Sequence, residues 1–158
     1  GKDLPYCSYA GLDKMSLIQA ARTFFKNKRD KYTLKDIGRY SYDTASISEE
    51  SRIKIENMRA DILLIAPQKD DCWPSEIAVP RMVKLLEEKN YSYKVQSTIY
   101  EYGSHLLGYV PTEMIESKKR LYEKMMPVEK NHPIECAKAR EDSTKEIIDF
   151  INTWVNKK

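Results

Sequence analysis

The chain has 158 residues, 41% hydrophobic and 32% charged, which fits one domain or a large piece of one and excludes a disordered tail. Its charge of +3 comes from 27 basic residues dispersed among 24 acidic ones, so neither nucleic acid nor an anionic membrane is implied as a partner. No apolar run approaches the roughly 20 residues that cross a bilayer, and no signal peptide is recognisable. The first element in chain order is irregular: residues 1–11 are rich in tyrosine and turn formers. A helix is predicted over 12–28, with Met15, Leu17, Ile18, Ala21 and Phe25 near helical spacing and a basic end suited to a helix C-terminus. Residues 30–45 are polar and read with the rest of 1–45 as an irregular or cap region. Ser46 and Glu49 have capping-box spacing and open a second helix expected to run to about Met58.

The best strand signal follows. Residues 61–66 form a short continuous apolar run stopped by Pro67, the pattern of an interior parallel strand buried on both faces. A polar loop over 68–72 leads into a helix over 75–88 whose buried stripe would be Ile77, Met82, Leu85 and Leu86, with Pro80 distorting its second turn. A second strand is expected over 93–102, closed by the loop Gly103-Ser104-His105. Helices are expected over 113–126 and 133–155, the latter with Ile147, Ile148, Ile151, Trp154 and Val155 on one face. Strand, helix, strand, helix is a parallel βαβ unit, so the fold class is α/β. Two strands do not complete a parallel sheet. The start at Gly1 rather than Met also reads as a piece of something longer, so the remainder of the sheet is expected from other sequence or from a partner.

In parallel sheets, reactive groups gather at the carboxyl ends of the strands. Asp70 and Asp71 follow the first strand and His105 follows the second, so the two loops would share one rim. A carboxylate that orients an imidazole is two-thirds of a nucleophilic triad: the acid fixes the tautomer, and the imidazole takes a proton from a Ser or Cys nucleophile. The order acid then base is that of α/β-hydrolases, in which the nucleophile comes first on a G-x-S-x-G elbow. No two of the five glycines stand four residues apart, so neither that elbow nor its Cys version occurs in this chain. Competing readings are a turn and capping cluster for Asp70-Asp71, an ordinary loop histidine for His105, and a thiol nucleophile at Cys72. His132 reads as a surface residue and Trp73 as a packing residue. Cys7, Cys72 and Cys136 are odd in number and have no metal-type spacing, so free thiols, a reducing cytoplasmic compartment and no metal or other cofactor are expected.

Four segments carry a more specific signal. They are the apolar strand 62–65, the loop Asp70-Asp71-Cys72-Trp73-Pro74-Ser75-Glu76, the loop Tyr100-Glu101-Tyr102-Gly103-Ser104-His105 with Pro111 beyond it, and the opening Gly1-Lys2-Asp3-Leu4-Pro5-Tyr6. Together they resemble the C-terminal domain of the acyl-CoA thioester hydrolase and bile acid-CoA:amino acid N-acyltransferase family, over nearly the whole chain. The chain departs from that pattern in Pro67-Gln68-Lys69, where a glycine-containing turn is usual, and in Ser104, where Gly or Ala often precedes the histidine. The resemblance implies the C-terminal portion of an α/β-hydrolase acting on an acyl-CoA thioester through an acyl-enzyme. It places the triad acid on Asp70, with Asp71 as the alternate, and the base on His105. The nucleophile and oxyanion hole would come from the N-terminal remainder of the fold, leaving this chain inactive alone. The alternatives are another ester- or peptide-cleaving hydrolase on the same fold, such as a carboxylesterase, dienelactone hydrolase or peptidase, or a non-catalytic module that forms a homo-oligomer through its sheet edge.

Overall fold

Branched and apolar side chains at 62–66 favour extended backbone, and in the computed structural model of the protein they open strand β1, Ile62–Pro67. The structure describes residues 50, 52–108 and 111–156. The helix and cap region expected before residue 50 lie outside them. Strand β1 leads through the 68–74 loop into helix α1, Ser75–Glu88, which runs on through the exposed Pro80. The helix ends in a Schellman motif: Asn90 takes φ 50°, its N–H donates to the Glu87 carbonyl, and the Tyr91 N–H donates to the Leu86 carbonyl. The chain then returns as strand β2, Val95–Tyr100. Tyr91 Oη donates to the Ala60 carbonyl at 2.6 Å, and the Lys94 N–H donates to Asp61 Oδ1 at 3.0 Å, which fastens the entry of β2 to the entry of β1.

The two strands pair in parallel, from Ile62 opposite Val95 to Pro67 opposite Tyr100, and among the described residues they form a two-stranded sheet. Because the last pair is in register, both following loops leave from one rim. The Gln68 N–H donates to the Tyr100 carbonyl at 2.7 Å and carries the pairing one residue further. Short helices follow: α2, Thr112–Ser117; α3, Lys119–Met125; and α4, Pro127–Asn131. The long α5, Pro133–Val155, closes the chain. The residues along β2 alternate between two faces. Val95 and Ser97 share a groove with Val83 and Leu86 of α1. From the other face Gln96, Thr98 and Tyr100 all donate to the Glu146 carboxylate of α5, at 2.8, 2.6 and 3.0 Å. Helix, sheet and helix therefore stack in three layers, the arrangement expected of an α/β chain.

Several expectations need correction. The stretch 52–58 holds a 3-10 turn at Ile55–Asn57 rather than the end of an α-helix. The helix expected over 113–126 is broken at Lys118, whose φ of −122° is not helical, and Met126 leaves helical geometry before Pro127 starts α4. The second strand is shorter than 93–102. In β1 only Ile62, Ala66 and Pro67 are buried, while Leu63, Leu64 and Ile65 are partly exposed, since the described residues pair β1 along one edge. Helix α1 buries Val79 and Leu86, with Ile77, Met82 and Leu85 half-buried. On α5 the buried residues are Cys136, Ala139, Arg140 and Ser143, whereas Ile148, Ile151, Trp154 and Val155 are each about half exposed. The apolar periodicity of this helix is real, but the described residues do not cover its C-terminal half. No described helix is long and apolar enough to cross a membrane.

Candidate acid–base site at the strand rim

Asp70 lies three residues beyond the end of β1 and His105 five beyond the end of β2, so the shared rim brings together groups 35 residues apart in sequence. His105 Nδ1 is 3.2 Å from both Oδ1 and Oδ2 of Asp70. The carboxylate is buried, 2% exposed as a residue, while the imidazole is half exposed. Asp70 is held from behind. Its Oδ1 accepts the N–H groups of Cys72 at 2.8 Å and Trp73 at 3.0 Å, an Asx turn written by the local sequence. Its Oδ2 accepts Ser75 Oγ–H at 2.9 Å. The turn reading of Asp70 and its facing of His105 are therefore two properties of one side chain. Helix α1 itself has Pro74 at its N-cap and no side-chain cap. With a proton on Nδ1, His105 donates toward Asp70 and Nε2 becomes the acceptor nitrogen.

Asp71 is turned elsewhere. Its Oδ2 accepts the Val128 N–H at 3.2 Å, tying the Asp70 loop to α4. The His105 loop is tied to the same helix. Ser104, 1% exposed, donates from Oγ to Glu129 Oε1 at 2.6 Å and accepts the Leu106 N–H at 3.2 Å. Arg140 of α5 donates to the same Glu129 oxygen at 2.6 Å, and both charged side chains are buried. Two consecutive residues of one short helix, Val128 and Glu129, thus fix the loops that carry Asp70 and His105. Gly103 fits tightly before this loop: a Cβ there would lie 3.1 Å from both Pro67 Cβ and Leu107 Cδ1. Sequence reading missed Ser75, Ser104, Glu129 and Arg140 as supports. The only local signal was polar residues beside the two loops, and their partners lie up to 25 residues away.

Cys72 is half-buried, and burial pushes its thiol up, with the Asp70 and Asp71 charges adding to the effect. Such a thiol is poorly ionised, which argues against its serving as the nucleophile. The Cys136 thiol is pushed up to about 12, first by burial and then by the Glu129 charge, and its Sγ lies 3.7 Å from the Val128 carbonyl. His132 packs its ring on Tyr102, centroids 4.6 Å apart, with Nδ1 4.0 Å from Glu135. Lys69 Nζ stands 4.1 Å from the centre of the Tyr102 ring. Trp73 is half-buried. A groove of about 750 Å³ on α5, including Ala137, Glu141 and Ile148, does not include the Asp70–His105 pair. Sequence spacing gave no metal site, yet the fold brings one ligand atom each of Asp70, Cys72 and His105 within 4.8 Å of one another.

Comparison with curated proteins and with solved structures gives no match. A family model does match, over residues 10–157, and it describes the C-terminal domain of the bile acid-CoA:amino acid N-acyltransferase and acyl-CoA thioester hydrolase family. The match takes in both strands, the rim loops and the closing helix, and on that span the chain belongs to the BAAT / acyl-CoA thioester hydrolase C-terminal family.

Proposed function

We propose that this chain is the C-terminal portion of an α/β-hydrolase and supplies the acid and base of a Ser/Cys–His–Asp triad that cleaves an acyl-CoA thioester or transfers its acyl group. Asp70 is the acid, His105 the base, and the nucleophile comes from outside the chain, which has no G-x-S-x-G or G-x-C-x-G elbow. The observation that carries the reading is the 3.2 Å approach of His105 Nδ1 to a buried carboxylate held by three further donors. That geometry fixes one imidazole tautomer, stabilises the imidazolium when a proton arrives, and leaves Nε2 to take and return the nucleophile's proton. Asp71, spent on the Val128 N–H, is the weaker choice of acid. Family membership supports an acyl-CoA thioester as the substrate class.

The test is release of free coenzyme A from a panel of acyl-CoAs, by this chain and by a polypeptide that adds a nucleophile-bearing upstream half. This chain alone stays at background. The extended protein turns over and loses roughly 10³- to 10⁴-fold in kcat with His105→Ala or Asp70→Asn. Turnover indifferent to both substitutions refutes the assignment. Activity on simple esters but on no thioester moves the reading to a carboxylesterase or related hydrolase.

A further inference from the structure

We propose that Asp70, Cys72 and His105 together bind a thiophilic divalent cation, zinc before calcium or magnesium, at the point where the acid and base meet. The cation site stands on geometry alone; its consequence, an enzyme switched off by zinc, rests on the triad reading above.

Three donors of different type converge here: a carboxylate oxygen, a thiol sulfur and an imidazole nitrogen, all within 4.8 Å of one another. Zinc bonds of about 2.0–2.3 Å in tetrahedral geometry place donors about 3.3–3.8 Å apart. Closing the gap takes a movement of about an ångström. Asp70 is buried and pinned, so the half-exposed His105 imidazole on its turn is the group that adjusts. Sulfur and imidazole nitrogen select zinc or cobalt and discriminate against calcium and magnesium, which want oxygen donors. Three protein ligands with one position left for water is the count of an open zinc site. Oδ1 of Asp70 already takes two backbone N–H groups, so Oδ2 is the ligating oxygen, steadied by Ser75 Oγ–H. The proton balance is simple. Cys72 gives up its thiol proton to solvent as the sulfur–metal bond forms, while a carboxylate oxygen of Asp70 and a ring-nitrogen lone pair of His105 complete the ligand set. The bound cation takes the carboxylate and the imidazole out of the acid–base pair. Sequence spacing hides the site, because Cys72 and His105 stand 33 residues apart and their loops meet through the β1–β2 register.

The experiment uses the full chain, stripped of metal and reduced, titrated with Co²⁺ for its absorption spectrum and with Zn²⁺ against a chromophoric chelator. One equivalent of cobalt is expected to give a thiolate-to-cobalt charge-transfer band, with zinc displacing it. Cys72→Ser removes the band and weakens zinc at least about tenfold, while Cys7→Ser and Cys136→Ser change neither. Cys72→Ala, checked for unchanged circular dichroism, guards against a folding defect in the serine variant. A cobalt complex without a thiolate band, as the His132–Glu135 pair would give, overturns the proposal. So does a band that survives both Cys72 substitutions. Cys72-dependent binding in a protein whose thioesterase activity ignores His105→Ala leaves the cation site standing and sinks the triad reading by itself.

Discussion

Removing one partner of the buried Glu129–Arg140 pair is the most informative perturbation of the support beneath the rim. Glu129 is 5% exposed and Arg140 is 6% exposed, and they meet at 2.6 Å. Arg140→Ala leaves Glu129 as a buried carboxylate whose remaining described donor is Ser104. Truncating one member of such a pair costs about 3–5 kcal/mol, because the surviving charge stays out of water without its partner. Against a total stability of about 5–15 kcal/mol, that is about a fifth or more of what holds the chain folded. With a urea slope of about 2 kcal/mol/M, the midpoint should fall by about 1.5–2.5 M. Replacing both groups, Glu129→Leu with Arg140→Met, removes the orphaned charge and should recover most of the loss. The assay is urea unfolding of the full chain followed by circular dichroism, for each single variant and the double. Single variants that shift the midpoint by less than about 0.5 M, or a double that equals the sum of the singles, would refute the claim that these side chains act as one buried unit.

Other outcomes follow from the same geometry. The Glu146 carboxyl is pushed up by burial but brought below its usual value by the donations from Thr98, Gln96 and Tyr100. Its folded pKa is therefore below its unfolded one, so it stabilises above the unfolded value of about 4.5 and this contribution fades as pH falls through the folded one. Glu146→Gln should flatten the acid limb of stability against pH, measured by thermal melts between neutral and acid buffers. Tyr100, pushed up to about 12 by burial and by its bond to Glu146, should not show its phenolate absorbance below the pH at which the chain unfolds. Cys72 should alkylate slowly at neutral pH and faster in Asp70→Asn, which removes one of the charges holding the thiol up; mass spectrometry of iodoacetamide adducts checks this, and equal rates would contradict it. Gly108 sits at φ +65°, where an added Cβ would lie 3.1 Å from Ile147 Cδ1 and 3.2 Å from Ser143 Oγ. Gly108→Ala should destabilise by about 1–2 kcal/mol on backbone grounds, read from its unfolding midpoint.

The sequence was most readable where one signal acted locally. The boundaries of α1 and α5 were plain because Pro74-Ser75 and His132-Pro133 mark starts that no distant contact overrides. Pro67 marks the end of β1, one residue beyond the apolar run 61–66 that announced it. The break at Lys118 was not readable, since lysine is a good helix former and only its backbone geometry in the folded chain interrupts the run. The stripe Ile148, Ile151, Trp154 had the right period, but periodicity states which face is apolar and not whether anything covers it. Asp70 and His105 were legible as a pair because parallel strands deliver their following loops to one edge. The choice between Asp70 and Asp71 depended on which carboxylate the turn at Cys72-Trp73 captures. The layer beneath, Ser104 on Glu129 on Arg140, is a long-range arrangement of ordinary polar residues and leaves no trace in spacing.

The three donations into Glu146 bear on how the chain avoids folding wrongly. Gln96, Thr98 and Tyr100 reach one carboxylate only because alternate residues of β2 point the same way. A slip of β2 by one residue against β1 would turn all three toward the opposite helix and leave Glu146 facing Val95, Ser97 and Ile99, which have no side-chain donor among them but a single hydroxyl. The same slip would carry His105 about 3.3 Å along the strand, out of reach of Asp70. One acid on the last helix thus rejects the misregistered sheet, and a chain that passes this check has Asp70 and His105 already aligned.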